Sequence, residues 1–187
     1  MSVVEPVAPR RVPGTTHAER APFRRRRLAA VLFTDIVGSA ARAWELGDRA
    51  WCELLETHDG LVRRELDRFG GREVDSSDDG FFASFGGATA AIACALAIRS
   101  QLDAIGLTVR SGVHAGEFEE RGPRVGGIAV AVGARITSLA GDGEILATRT
   151  VRDLVLGSGV RFSPRGPYAL KGIPGSWHLF AVEAVGA

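Results

Sequence analysis

The chain has 187 residues, of which 45% are hydrophobic and 24% are charged, and this composition is typical of one globular domain with a sizeable core. The formal net charge of +1 provides no global field that would attract nucleic acid or an anionic membrane, and no apolar run approaches the length of a membrane span. The two cysteines and four histidines lack metal-ligand spacing, which argues against zinc and favours reduced, buried cysteines. We therefore expect a cytoplasmic protein with no nucleic-acid or membrane partner.

Residues 1–27 differ in composition from the rest of the chain. They contain several prolines, few large apolar residues and the basic run Arg24–Arg27. This composition predicts a flexible leader and not a secretion signal, and a solvated tail is favoured over binding of nucleic acid or anionic lipid by the arginines. The predicted organisation is a leader at 1–27, a folded domain at 28–183 and a short tail at 184–187.

The first predicted element is a strand over Leu28–Phe33, an uninterrupted apolar run that is typical of a strand buried on both faces. Asp35 follows at the point where this strand leaves the core. A carboxylate there needs a cation or several hydrogen-bond donors, because burying an unpaired charge is costly. Taken alone, Asp35 is also consistent with a side-chain cap on the following helix.

A helix with apolar residues at three- and four-residue spacing is predicted from Trp51 to Phe69, and a pair of glycines ends it. A β-hairpin follows, with Asp78, Asp79 and Gly80 near its tip. Carboxylates from this tip and from the end of the first strand could meet at one edge of the sheet. Oxygen ligands of this kind suit Mg²⁺ or Mn²⁺, and two such cations about 4 Å apart can clamp a phosphoryl transfer.

Helices and strands then mix without strict alternation, which predicts an α+β sandwich with helices on one face of the sheet. On the later helix, Ala131 and Arg135 lie one turn apart on one face. In chain order the remaining predicted segments are an alanine-rich helix from residue 88 to about 105, a strand at 107–114, a polar connection at 117–124, a helix from 126 to about 140, a strand at 144–148, a helix at 151–156, and strands at 160–162, 168–170 and 177–182.

Four ordered motifs resemble those of class III nucleotidyl cyclases of the bacterial type: Phe33–Ser39, Asp79–Phe85, Val125–Arg135 and Leu170–Gly175. The resemblance covers about residues 27–182. It implies a ferredoxin-like βαββαβ core sandwich with extra C-terminal strands. It also implies an enzyme of cyclic-nucleotide signalling that converts ATP to 3′,5′-cyclic AMP and pyrophosphate.

The resemblance assigns roles residue by residue. Family members bind two divalent cations, Mg²⁺ or Mn²⁺, through two aspartates, and Asp35 and Asp79 stand at those positions, with the Ile36 carbonyl as a further ligand. The cations lower the pKa of the ribose 3′-hydroxyl and neutralise charge as it attacks the α-phosphorus. Arg135 matches the arginine that stabilises the transition state, and Lys171 matches the lysine that contacts the terminal phosphates.

The positions that read the base depart from the family pattern. Adenylate-making members have a lysine where this chain has Asp75, and an aspartate or threonine where it has Arg124. Their transition-state asparagine corresponds to Ala131, whose methyl group cannot donate a hydrogen bond. Losing such a donor costs about 3 kcal/mol in related chemistry. Asp78 also replaces the glycine that usually precedes the second metal aspartate.

Three interpretations of the base site stay open. Asp75 could accept a hydrogen bond from the adenine amino group while Arg124 donates to a ring nitrogen. An acidic residue at 75 is also similar to the glutamate of guanylate-making members, although their cysteine is absent at 124. In the third interpretation the domain is a weak or silent relative that binds nucleotide or a regulatory partner. The resulting prediction is an adenylate cyclase acting on ATP, with GTP as the alternative substrate.

The resemblance finally implies a head-to-tail homodimer with two shared active sites. The metal aspartates of one protomer would face the Arg135 and Lys171 positions of the other, so that a monomer would hold two half-sites.

Overall fold

The computed structural model describes residues 26–121 and 124–185. The helices and strands in these ranges are, in chain order, β1 (Arg26–Ile36), α1 (Ser39–Leu46), α2 (Asp48–Arg68), β2 (Arg72–Ser77), β3 (Gly80–Phe85), α3 (Ala88–Asp103), β4 (Val109–Arg121), β5 (Arg124–Gly126), α4 (Ile128–Thr137), β6 (Ile145–Thr148), α5 (Arg149–Leu154), β7 (Val160–Leu170) and β8 (Ile173–Val185).

The strands form one sheet in the order β2-β3-β1-β4-β6-β8-β7, with β5 paired to β4. The half containing β1 to β4 is built from the predicted βαββαβ unit, and its neighbouring strands are antiparallel. β6 joins β4 as a parallel strand, and β8 and β7 complete the sheet with antiparallel pairing. The α+β class, the ferredoxin-like core and the extra C-terminal strands are therefore confirmed.

The centre of β1 is buried because its side chains alternate between two packed layers. Ala30 and Leu32 pack in the cluster that includes α2 and α3, whereas Val31 and Phe33 lie on the opposite side, against α4. The expectation that all helices cover one face of the sheet is therefore wrong. Gly133 on α4 allows this second layer to form, since a Cβ atom there would lie 2.8 Å from the ring of Phe33.

β4 is longer than the sequence pattern predicts. Residues 117–121 fall within the predicted polar connection, but they continue the strand. Residues 117–119 pair with the start of β1, where Arg26 lies opposite Glu119, and residues 119–121 pair with β5. Buried Phe118 alternates with polar neighbours, which is the two-residue period of a strand with one exposed face.

β1 begins at Arg26, two residues before the predicted domain boundary at 28. The apolar run is also less buried than expected at its start, where Leu28 is 71% exposed.

Most of the predicted leader lies outside the residues that the structure describes. Residues 1–25 are not described, and neither are residues 186 and 187. Cys94 is buried as expected, but Cys52 is exposed, because it falls on the solvent face of the amphipathic helix α2. Within the ranges that the structure describes, no helix combines the length and the apolar character needed to cross a membrane.

Candidate active site

Asp35 lies near the end of β1, opposite Gly80 on β3 and Arg110 on β4. Its Oδ2 atom accepts a hydrogen bond of 2.6 Å from Arg110 Nε, and Nη2 of the same guanidinium contacts the same oxygen. Both side chains are partly buried, so solvent screens this pair less than a fully exposed one. The N-cap of α1 is Gly38, with no side-chain cap, so the alternative role of Asp35 as a helix cap is not adopted.

Asp79 lies at the tip of the hairpin formed by β2 and β3, beside the end of β1. Its backbone carbonyl accepts a hydrogen bond of 2.8 Å from the Ile36 amide, which fixes the hairpin tip to the end of β1. Its carboxylate accepts hydrogen bonds from Ser39 Oγ at 2.7 Å and from Ser77 Oγ at 3.4 Å. The predicted meeting of the two segments that carry Asp35 and Asp79 is therefore observed, whereas their role as metal ligands stays a prediction.

Gly80 allows the hairpin to approach β1 this closely. A Cβ atom at this position would lie 2.4 Å from the backbone carbonyl oxygen of Thr34, a distance that no side chain can occupy without moving the main chain. The Phe81 amide also donates a hydrogen bond to Thr34 Oγ1 at 3.2 Å. Asp79 therefore supplies a carboxylate, and the next residue, Gly80, is the only residue type whose backbone fits this close to Thr34.

A cavity of about 160 Å³ lies beside Asp35, and we call it the Asp35 cavity. Its lining includes Asp75, whose Oδ1 atom accepts a hydrogen bond of 3.0 Å from the Ser76 amide. Phe33 and Phe82 form part of the wall and stack with ring centroids 4.4 Å apart. The full lining is Phe33, Thr34, Asp35, Asp75, Ser76, Ser77, Gly80, Phe81 and Phe82. Asp75, the position predicted to select the base, therefore borders the same cavity as Asp35, the first predicted metal ligand.

Helix α2 packs against the β2–β3 hairpin. Arg63 binds Glu73 on β2 through Nε at 2.9 Å, and its guanidinium lies 5.1 Å from the centre of the Phe81 ring. His58 also packs against that ring, with centroids 5.6 Å apart. Burial lowers the pKa of His58, although the neighbouring Asp59 carboxylate opposes this shift. Burial therefore favours the neutral form of His58, which is a packing residue of the helix that positions the hairpin.

The remaining predicted site residues lie elsewhere on the surface. Ala131 and Arg135 are both exposed on α4, so the predicted shared face is confirmed. Lys171 is exposed in the turn between β7 and β8. Neither Arg135 nor Lys171 is among the residues that line the Asp35 cavity. One chain therefore does not bring the predicted phosphate-binding side chains into the cavity that its predicted metal aspartate borders.

A larger cavity, of about 810 Å³, lies along β4, β5 and the start of α4. Its lining includes Phe118, Val125 and Ile128, and Val125 directly follows Arg124, which was predicted to help select the base. Asp35 and Asp79 do not line it, so size alone does not identify the site of chemistry here. Ile128 is 61% exposed at its rim, which leaves an apolar opening at the start of α4.

Relatives with similar sequences carry the name adenylate cyclase. No protein-family model matches the chain. An adenylate cyclase of Podospora anserina is 31% identical over 115 residues, which is 48% of this chain and 5% of that protein. "Putative adenylate cyclase 3" of Rhizobium meliloti (strain 1021) is 28% identical over 173 residues, which is 83% of this chain and 28% of that protein. The chain thus spans only a small part of the curated relatives it matches.

Solved structures cover nearly the whole domain. The adenylyl cyclase CyaB from P. aeruginosa has a TM-score of 0.79 and 21% identity, covering 86% of this chain and 95% of that one. The guanylate cyclase domain of RhGC from Catenaria anguillulae, in complex with GTP, has a TM-score of 0.78 and 18% identity, covering 87% of this chain and all of that one. This chain has the class III nucleotidyl cyclase fold. Structures with this fold are named both for adenylyl and for guanylyl cyclases.

The donor set at the predicted metal-binding positions suits hard divalent cations. Carboxylate oxygens of Asp35 and Asp79, with a backbone carbonyl, are the ligand types that Mg²⁺ and Mn²⁺ prefer. The described residues contain no group of three or more His, Cys, Asp or Glu side chains placed to hold a metal ion. A site made of two carboxylates and completed by backbone and nucleotide oxygens is compatible with that observation. The residues present therefore fit a divalent cation.

Three partners of these carboxylates were missed by sequence reasoning: Arg110, Ser39 and Ser77. Arg110 carried a detectable signal, because it interrupts an apolar strand and a charge there requires a partner. Ser39 and Ser77 carried no such signal, since serine is common at helix starts and in turns whatever it contacts.

Proposed function

We propose that this chain is a nucleotidyl cyclase that converts ATP to 3′,5′-cyclic AMP and pyrophosphate. The observation that carries the proposal is the hydrogen bond of 2.8 Å from the Ile36 amide to the Asp79 carbonyl, which joins the segments bearing Asp35 and Asp79 at one sheet edge. This juxtaposition supports the assignment of Asp35 and Asp79, made by resemblance to nucleotidyl cyclases, as ligands of the catalytic cations. The coverage of most of this chain by a cyclase-named relative supports the same activity.

The proposed reaction forms one bond to the α-phosphorus and breaks another. The ribose 3′-oxygen forms a bond to phosphorus, the bond to the pyrophosphate oxygen breaks, and the hydroxyl proton passes to solvent. Divalent cations supply Lewis acidity, which lowers the pKa of the hydroxyl and neutralises developing charge. Asp35 and Asp79 would hold these cations. Arg135 would donate to the transferring phosphoryl group through its planar guanidinium, and Lys171 would bind the terminal phosphates as a point charge.

The proposed active unit is a head-to-tail homodimer. Arg135 and Lys171 are exposed and do not line the Asp35 cavity of their own chain, which supports their delivery to the cavity of a second copy. Two copies related by a two-fold axis then form two equivalent sites from the four half-sites.

A direct assay tests the activity. Purified full chain is incubated with Mn²⁺ and ATP or GTP, and cyclic nucleotide is measured by chromatography. We expect product from the wild type and a loss of about 100-fold or more in Asp35→Ala, since removing a metal ligand removes most of the charge stabilisation. Asp67→Ala, at an exposed aspartate of α2 outside the site, serves as the matched control with unchanged activity. Absence of product from both nucleotides, with folded protein, contradicts the proposal and favours a silent nucleotide-binding or regulatory module.

A specific observation favours guanylate cyclase as a second candidate function. Asp75 borders the Asp35 cavity with a carboxylate, which only accepts hydrogen bonds. Guanine presents two adjacent donors, the ring N–H and the exocyclic amine, whereas adenine presents one donor beside an acceptor. A carboxylate therefore matches the guanine edge better than the adenine edge. The ratio of kcat/KM for GTP and ATP decides between the two, and Asp75→Lys is expected to shift that ratio toward ATP.

A further inference from the structure

The Arg110 guanidinium binds the carboxylate of Asp35, which the proposed function assigns to a cation. Arg110 Nε lies 2.6 Å from Asp35 Oδ2, and Nη2 of the same side chain contacts the same oxygen. The pairing is built into the sheet, because Asp35 and Arg110 are directly opposite each other in the β1–β4 register. Val109 and Ser111, which flank Arg110 on β4, are buried, so the backbone that carries this guanidinium is fixed in the core.

The two carboxylates of the site differ in how their charge is balanced. Asp35 faces a full positive charge on Arg110, whereas Asp79 is held by the hydroxyl groups of Ser39 and Ser77, which are neutral donors. A guanidinium and a divalent cation repel each other, and both are attracted to the same carboxylate. A cation at Asp35 therefore meets a competitor that a cation at Asp79 does not meet.

We propose that Arg110 competes with the divalent cation for Asp35 and thereby sets the cation affinity of the site. This inference rests on the proposed function, because it takes Asp35 as a cation ligand. Arg110 acts here as a positioning residue: it keeps the cation-free carboxylate neutralised and oriented, and it must yield Oδ2, in part or wholly, when the cation binds. Cation affinity in the absence of nucleotide is then weaker than the two carboxylates alone would provide.

Mn²⁺ binding to the full chain, followed by the electron paramagnetic resonance signal of free Mn²⁺ without nucleotide, tests the inference. Arg110→Met removes the charge and keeps the length of the side chain, and it is expected to tighten Mn²⁺ binding at least about tenfold. This is the change expected when a unit charge about 5 Å from a divalent ion is removed at the full screening of water, and the partly buried pair is screened less. Arg110→Gln, which still donates to Asp35, is expected to change affinity in the same direction. Arg110→Lys keeps the charge and is expected to bind like the wild type.

Two control variants separate failure of this inference from failure of the proposed function. Arg49→Met removes an arginine from the exposed Arg49–Glu53 pair on α2, where the side chain is 94% exposed, and should leave Mn²⁺ binding unchanged. Asp35→Ala should abolish the tighter class of Mn²⁺ binding in the Arg110→Met background. If Asp35→Ala weakens binding but neither Arg110→Met nor Arg110→Gln tightens it, competition is refuted and the metal site stands. If Asp35→Ala binds Mn²⁺ like the wild type, the metal site and this inference both fail.

Discussion

The hydroxyl of Ser39 donates a hydrogen bond of 2.7 Å to Asp79 Oδ2, so the first residue of α1 orients the carboxylate at the tip of the β2–β3 hairpin. We expect Ser39→Ala to weaken Mn²⁺ binding and to lower kcat/KM by about tenfold, because hydrogen bonds to charged groups contribute about 1.5–3 kcal/mol. Ser39→Thr keeps the hydroxyl and should retain most of the activity. Equal activity in the alanine variant and the wild type would show that this hydrogen bond has no part in the site.

Gly80 is expected to be intolerant of any side chain. Gly80→Ala should destabilise the fold by about 1–3 kcal/mol and eliminate activity, because the new Cβ atom would lie 2.4 Å from the Thr34 carbonyl oxygen and would push the hairpin away from β1. Gly86→Ala is the matched control at the other end of β3, where a Cβ atom would meet nothing within 4 Å. Urea denaturation measures the free energy of unfolding of both variants. Similar stability for the two would mean that the hairpin tip can move without cost.

Restoring an amide at position 131 is expected to increase turnover. Ala131 is exposed on α4 in the position of the family's transition-state asparagine, so Ala131→Asn supplies a hydrogen-bond donor without disturbing the core. The expected gain in kcat is up to about 100-fold, the value of one such donor in related chemistry. Ala131→Asp has nearly the same shape but cannot donate when ionised, and it should give no gain. An equal effect of both substitutions would argue against transition-state hydrogen bonding.

Two inactive variants are expected to complement each other when mixed. Asp35→Ala damages one half of the proposed shared site and Arg135→Ala damages the other, so a mixed dimer rebuilds one intact cleft. At equal concentrations, about half of randomly assembled dimers are mixed and each has one of two clefts intact, so about a quarter of wild-type activity should return. Sedimentation is used to check that each variant is dimeric. If mixing dimeric, folded variants restores nothing, both half-sites must belong to one chain or the roles are wrongly assigned.

Acid should destabilise the protein through His114. This side chain is buried on β4 against Thr148 and Trp177, and burial lowers its pKa from 6.5 to about 4. The unfolded chain therefore binds a proton at higher pH than the folded one, so the His114 contribution is complete above pH 6.5 and is lost as pH falls toward 4. That difference corresponds to about 3 kcal/mol.

His114→Gln provides the test of this pH dependence. The free energy of unfolding, measured by urea denaturation between pH 4 and pH 7.5, should fall less steeply in the variant than in the wild type. Some slope should persist, because burial also lowers the pKa of His58. Identical slopes in the two proteins would place the acid sensitivity in other groups.

The local pattern of the sequence was sufficient to predict several elements of the fold. The apolar run before Asp35 predicted β1, the Asp-Asp-Gly turn predicted the β2–β3 hairpin, and the three- and four-residue spacing predicted α2. These predictions succeeded because each pattern reports the burial of one segment, which is a local property. The same reasoning failed at residues 117–121 of β4, where charged residues on one face of a strand were interpreted as a connection.

Only the tertiary structure decided which charges meet. Asp35 and Arg110 are 75 positions apart, and Ser39 and Asp79 are 40 apart, so neither pair is visible in any local pattern. Their contact depends on strand register, because a shift of one residue between β1 and β4 would turn one of the two side chains to the other face of the sheet. The sequence by itself determined the strands, the hairpin and the supply of carboxylates. The register, set by packing of the whole core, determined that one of those carboxylates is paired with an arginine and the other with hydroxyl groups.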